Sequence, residues 1–157
     1  ILLERCATEE QKDRWLQPII DGRVRSSLMM TEPAPGAGSD PTSMLTTASP
    51  KGNDTWEIKG HKWFITGAEG AEHFILLART SEDTRRNLTT FLFHRDDPGW
   101  EILRRIPIMG PEEHGGHCEI KFNGLEIPDA NRLMGVGEGM KSVQLRLGTA
   151  RLTHCTR

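Results

Sequence analysis

The spacing of apolar residues changes twice along the chain. Trp15, Leu16, Ile19 and Ile20 recur at helical intervals, and Thr8 with Gln11 three positions on has the form of a capping box. This predicts a helix over residues 8–21, stopped at Gly22 and kinked or tightened near Pro18. From Arg23 to about Met134 the pattern becomes extended, starting with an apolar run from Val24 to Met30. Thr55 to Ile58 and Lys62 to Thr66 are expected to flank a short hairpin at Lys59-Gly60-His61. In the second of these runs Phe64 and Thr66 point one way, and Trp63 and Ile65 the other. His73 to Arg79 is continuously apolar, as in a strand buried on both faces.

Further along, Leu88, Thr90 and Leu92 alternate with Thr89, Phe91 and Phe93. Pro98-Gly99 marks a turn, and Trp100 to Ile106 continues extended. Cys118, Ile120 and Phe122 alternate with Glu119, Lys121 and Asn123, and Asn123-Gly124 predicts a two-residue turn before Leu125 and Ile127. Helical spacing returns after Gly139. Many short strands at regular intervals predict a mainly β fold, an antiparallel β-barrel flanked by α-helices. The expected division is 1–22 as the end of one helical domain, 23–134 as the barrel, and 135–157 as the start of a second helical domain. The chain opens mid-helix without an initiator methionine, so it is expected to be part of a longer protein.

Composition narrows the partners. A net charge of −2 with 27% charged residues gives no bulk electrostatic case for nucleic acid. No run of about eighteen apolar residues predicts a membrane segment, and the first residues lack the form of a signal peptide. Cys6, Cys118 and Cys155 are few and unpatterned, which favours an intracellular, reducing compartment such as bacterial cytoplasm or an organelle matrix.

The candidate chemistry lies in two segments. The loop Thr31-Glu32-Pro33-Ala34-Pro35-Gly36-Ala37-Gly38-Ser39-Asp40 follows the first strand, and Gly36 and Gly38 would let its backbone approach a flat polar ligand. Phe64 and Thr66 add a ring to lie against an aromatic ligand and a hydroxyl to bond its edge, a combination that suits an isoalloxazine. Taken alone, Thr31-Glu32-Pro33 is a strand end with a turn, Phe64 an ordinary barrel residue, and Thr66 a hydroxyl bonded to its own sheet. Glu32 reads as an acceptor for nearby backbone donors rather than a catalytic base. His114, His117 and Cys118 are zinc-ligand types, but a structural site needs a fourth ligand that would come from far away. Gly135-Val136-Gly137-Glu138-Gly139 lacks both the spacing and the βαβ context of a dinucleotide fingerprint.

Thr31-Glu32-Pro33 through Gly38-Ser39-Asp40, followed by Lys62-Trp63-Phe64-Ile65-Thr66-Gly67, closely resembles the acyl-CoA dehydrogenase family of flavoenzymes. The resemblance runs over nearly the whole chain, although the loop is longer than the common form and Gly67 stands where many members carry asparagine. His114-Gly115-Gly116-His117 and Gln144-Leu145-Arg146-Leu147-Gly148 with Arg151 resemble a branch often fused to phosphotransferase-like domains and acting on longer or hydroxylated acyl chains. The resemblance implies FAD-dependent α,β-dehydrogenation of an acyl-CoA thioester, with electrons passed to an electron-transfer flavoprotein and a homo-oligomeric full-length enzyme. It implies that Leu28, Met30 and Thr31 line the pyrimidine side of the flavin, that Gly38 and Ser39 close the loop, and that Phe64, Ile65 and Thr66 meet the ring near N5. Ser39 and Arg151 are the implied substrate neighbours. The family's catalytic glutamate belongs to the C-terminal helical domain, so this span is expected to be inactive alone. An acyl-CoA oxidase and a non-catalytic β-barrel that binds a ligand or partner remain as alternatives.

Overall fold

In the computed structural model, which describes residues 1–38, 40–83, 85–109 and 116–156, the chain opens with α1 (Leu2–Cys6). A second helical run follows, from α2 (Glu9–Gln11) through a π turn (Lys12–Leu16) to α3 (Gln17–Ile20). The capping box forms as expected, with reciprocal bonds of 3.1 and 3.2 Å between Thr8 and Gln11. The π turn sits just before Pro18, whose missing N–H removes a regular helical bond; Gln17 reaches back five residues to the Lys12 carbonyl instead. Gln11 pins this run to the rest of the fold by donating to the carbonyls of Ala130 and Arg132 at 2.8 and 2.9 Å.

Eight strands follow: β1 (Ser26–Met29), β2 (Thr47–Gly52), β3 (Thr55–Thr66), β4 (His73–Arg79), β5 (Leu88–His94), β6 (Trp100–Arg105), β7 (His117–Pro128) and β8 (Arg132–Leu133). They form one sheet in the order β6-β7-β3-β2-β4-β5-β8, with β1 beside β4. Two features correct the expected antiparallel barrel. The sheet is mixed, because β1 pairs with β4 in parallel from Ser26↔His73 to Met29↔Leu76. It is also open, ending at β6 and at the two-residue β8. Period-2 alternation reports which face a side chain takes and carries no information on strand direction or closure.

The two hairpins expected within 55–66 and 117–128 do not form. β3 and β7 are each a single 12-residue strand, paired along their length. Gly124, at φ +96, is a bulge residue where the register slips between Ile58 and Lys59. Gly60 serves close approach: a Cβ there would lie 2.6 Å from the Thr46 Cα and 2.4 Å from its hydroxyl. Gly60→Ala is therefore expected to destabilise the protein by about 1–3 kcal/mol through overpacking against backbone, measured as a lower urea midpoint. The turn actually used is Asn53-Asp54, both left-handed at φ 49 and 51, which joins β2 to β3.

β4 is buried on both faces, as its apolar run predicts, and so is β5, whose alternating pattern did not call for it. Phe74, Leu76, Ala78, Phe91 and Phe93 meet Ile65, Ile120, Phe122 and Leu125 in the main core. On the other face Ile75 and Leu92 are covered by Leu2, Leu3 and Trp15 of the N-terminal helices. Leu77 and Leu88 are covered by Val143 of α4 (Gly139–Cys155). The hydroxyl pair Thr90–Ser142, 2.7 Å apart, ties α4 to β5. Among the described residues, no helix is long and apolar enough to cross a membrane.

Candidate functional site

The chain leaves β1 at Met29, and its continuation runs beside the end of β3. There the β3–β7 register shifts between Lys62 and Ile65, and Phe64 takes a left-handed φ of +52. A bulge of this kind re-aims side chains. Lys62 and Ile65 both enter the interior, at 0% and 1% exposure, while the Phe64 ring stands 44% exposed. Trp63 does not share the side of Ile65, as strict alternation would require; it is half-buried, with its ring 4.8 Å from that of Phe64. Thr31 fills the gap in the ladder. The Trp63 N–H donates to the Thr31 carbonyl at 3.0 Å, and the Thr31 hydroxyl donates to the Trp63 carbonyl at 2.6 Å.

Beside Phe64 lies His117, the first residue of β7, with ring centroids 6.4 Å apart. Its Nδ1 is 3.0 Å from the exposed Thr66 hydroxyl. Thr66 is held from behind, since the Ser27 hydroxyl donates to its carbonyl at 2.8 Å. Gly67, at φ +73, then turns the chain away and donates to the Gly116 carbonyl at 2.8 Å. The outcome is an open aromatic surface bordered by a hydroxyl and an imidazole.

A buried ion pair supports this surface from below. Glu32 is 2% and Lys62 0% exposed, and they meet at 2.9 Å. Lys62 also donates to the Met30 carbonyl at 2.9 Å. Glu32 accepts from the backbone N–H groups of Leu45, Thr46 and Ala37 at 2.7, 2.8 and 3.2 Å, the acceptor role expected from the sequence. Burial alone would raise the Glu32 carboxyl, but the Lys62 charge and the bonds from Thr46 and Leu45 outweigh it and hold it at about 2. Burial pushes Lys62 down to about 8 against the pull of Glu32. Gly36 belongs to this arrangement and not to a ligand, because a Cβ there would lie 2.4 Å from the Glu32 carboxylate. Gly38 faces open space.

Of the residues singled out in the sequence, Thr31, Phe64 and Thr66 are brought together. Leu28 packs against the cluster of Leu2, Leu3 and Trp15, and Met30 against that of Met44, Leu77 and Val143. The Ile65 side chain lies in the core, which leaves only its backbone to the exposed face. Arg151 is exposed on α4 and bonds Gln144 of its own helix at 3.3 Å, and among the described residues no hydrogen bond or ion pair joins it to the Phe64 face. Ser39 and His114 lie outside the described residues. Among the described residues, no cluster of His, Cys, Asp and Glu is arranged to hold a metal. The contribution of His117 to this face was missed, although carrying the Cys118-Ile120-Phe122 alternation one step back places it on the outward side of β7.

The family model for the acyl-CoA dehydrogenase middle domain matches residues 27–125. The chain belongs to the acyl-CoA dehydrogenase family. Among acyl-CoA dehydrogenases, the probable enzyme FadE2 of Mycobacterium tuberculosis is 38% identical over 160 residues, covering 99% of this chain and 39% of that protein. A putative acyl-CoA dehydrogenase from Mycobacterium abscessus has the same fold at a TM-score of 0.89 and 34% identity, over 98% of this chain and 38% of that one. The structure solved as the FAD complex of PigA is similar at a TM-score of 0.81 and 31% identity, over 90% of this chain and 36% of that one. The chain thus spans well under half the length of these relatives.

Proposed function

We propose that this chain supplies one wall of the flavin site in an FAD-dependent acyl-CoA dehydrogenase, and that the wall is the Phe64–Thr66–His117 face. The observation that carries the reading is the placement of Phe64. An aromatic ring left 44% exposed by a left-handed bulge, between a hydroxyl and an imidazole, fits a flat aromatic partner with a polar edge. When bound, FAD accepts the hydride that leaves the β carbon of the acyl thioester after an α proton is removed, and its electrons pass to an electron-transfer flavoprotein.

The tasks of this chain are binding and orientation. Phe64 excludes water from one side of the ring. Thr66 bonds the ring edge, while Ser27 keeps its backbone in place. Met30 and Thr31 approach the pyrimidine side through backbone groups fixed by Lys62 and Trp63. Gly38 and Ser39 close the loop, with Ser39 towards the thioester or pantetheine.

Replacing Thr66 by Val in the full-length enzyme is expected to weaken FAD binding by about 1 kcal/mol, roughly fivefold, as one hydrogen bond is lost. Titrating the flavin-free protein with FAD and following flavin fluorescence checks this. Full-length protein that is colourless and does not take up FAD would overturn the reading. In the same preparation, acyl-CoA added without oxygen should bleach the flavin absorbance, and steady peroxide production in air would instead assign the oxidase reaction.

A further inference from the structure

His117 takes part in no metal cluster among the described residues and has no assigned role, yet the hydroxyl placed at the edge of the aromatic face is bonded to its ring. Resting on the flavin reading above, we propose that His117 is a positioning residue that sets the donor–acceptor sense of the Thr66 hydroxyl, and through it which edge chemistry of the bound ring the face prefers.

The argument starts from proton counting. A threonine hydroxyl has one proton to donate and lone pairs to accept with. The Thr66 Oγ1–His117 Nδ1 contact of 3.0 Å can therefore run in two directions. With Nδ1 unprotonated, Thr66 donates its proton to the imidazole and offers only lone pairs outward. It then accepts from an N–H on a ligand edge and gives nothing to a ligand acceptor. With Nδ1 protonated, the imidazole donates to Thr66, and the hydroxyl proton is free to point outward. An isoalloxazine edge presents an acceptor when oxidised and an N–H when reduced. The two senses of the pair therefore favour opposite redox forms of the same ligand.

Geometry limits the alternatives available to the pair. The Thr66 backbone is fixed by Ser27 and by its pairing with His117 across the β3–β7 ladder. The His117 carbonyl accepts from Ile106 at 2.7 Å, so the backbone carrying the imidazole is anchored as well. The Phe64 ring borders the imidazole on the ligand side. Among the described residues, two neighbouring carboxylates are engaged elsewhere. Glu119, two residues along the same face of β7, is taken by His61 and Arg104 at 2.8 and 2.6 Å. Glu69, after β3, pairs with Arg105 of β6.

The test is the two-electron midpoint potential of FAD bound to the full-length protein against that of free FAD, which reports the ratio of affinities for the oxidised and reduced forms, read by reductive titration of the flavin absorbance. His117→Phe, which frees the Thr66 hydroxyl to turn either way, is expected to change that ratio about fivefold, the worth of one hydrogen bond. His117→Leu serves if the Phe variant is unstable. On a Thr66→Val background the same substitution should leave the ratio unchanged. A ratio that does not move when His117 alone is replaced overturns the role of His117. Equal affinity of Thr66→Val and the unsubstituted protein for both oxidised and reduced FAD would sink the flavin wall itself, so the two failures are told apart.

Discussion

Glu32→Gln is expected to cost about 3–5 kcal/mol of stability, towards the upper end of what breaking a buried ion pair costs. The carboxylate accepts from three backbone N–H groups and from Lys62, and both side chains are almost fully enclosed. An amide offers one oxygen to the same donors and turns its own N–H groups towards the rest. It also leaves the Lys62 ammonium buried without a counter-charge. Lys62→Met should cost less, because Glu32 keeps its three backbone donors and the expensive buried cation is gone.

The pH dependence of the pair follows in sign. The folded Glu32 carboxyl is held at about 2, below its ordinary 4.5, so its contribution is complete above 4.5 and lost as pH falls from there through about 2. Lys62 acts oppositely. Its folded value, about 8, lies below 10.5, so its burial costs stability at neutral pH, and that cost is relieved as pH rises from 8 towards 10.5. Urea midpoints at pH 3 and pH 7 check the first statement, and midpoints at pH 7 and pH 10 the second. Glu32→Gln should flatten the acid slope, and a loss under 1 kcal/mol at pH 7 would mean the loop is held by something other than this pair. Because Lys62 also holds the Met30 carbonyl, the same variant should loosen Thr31 from Trp63 and weaken the Phe64 face.

The sequence was readable wherever a strand keeps one register with its surroundings. His73 to Arg79 is an apolar run because helices cover the face turned from the core, and it folds as read, whereas Leu88 to His94, read as an alternation, is buried on both faces as well. Cys118, Ile120 and Phe122 point inward as their alternation requires. Thr47–Gly52 gave no signal, since only Ala48 of that strand is buried. The glycines misled for a physical reason. Glycine is used for turns, for bulges and for close approach, and Gly60, Gly124 and Gly36 serve the latter two. The site was readable to the same degree. Phe64 and Thr66 were legible as an exposed pair, but the bulge that moves Trp63 outward depends on pairing with a strand more than fifty residues on. So does the His117 contact. The parallel pairing of β1 with β4 is equally non-local.

Phe93→Ala is expected to cost about 3–5 kcal/mol, the range for removing a fully enclosed aromatic ring. Phe93 is 0% exposed and stacks on Phe74 with centroids 4.9 Å apart. Trp100 and Phe122 meet it edge-on at 5.5 and 6.0 Å. Truncation therefore leaves a cavity bounded by three other rings that cannot easily close on it, each held by its own strand in a paired ladder. Phe93→Leu, which keeps most of the volume and loses only the ring geometry, should cost nearer 1–1.5 kcal/mol. Trp100 supplies a local readout, since its fluorescence should shift in the Ala variant before the cooperative transition. Through Phe74 the damage should also reach β4, against which β1 lies in parallel, and so loosen the strand that carries Leu28 to Thr31. A loss of less than about 1.5 kcal/mol in Phe93→Ala would mean that the Trp100 edge strand collapses into the cavity, and that the open side of the sheet is softer than its packing implies.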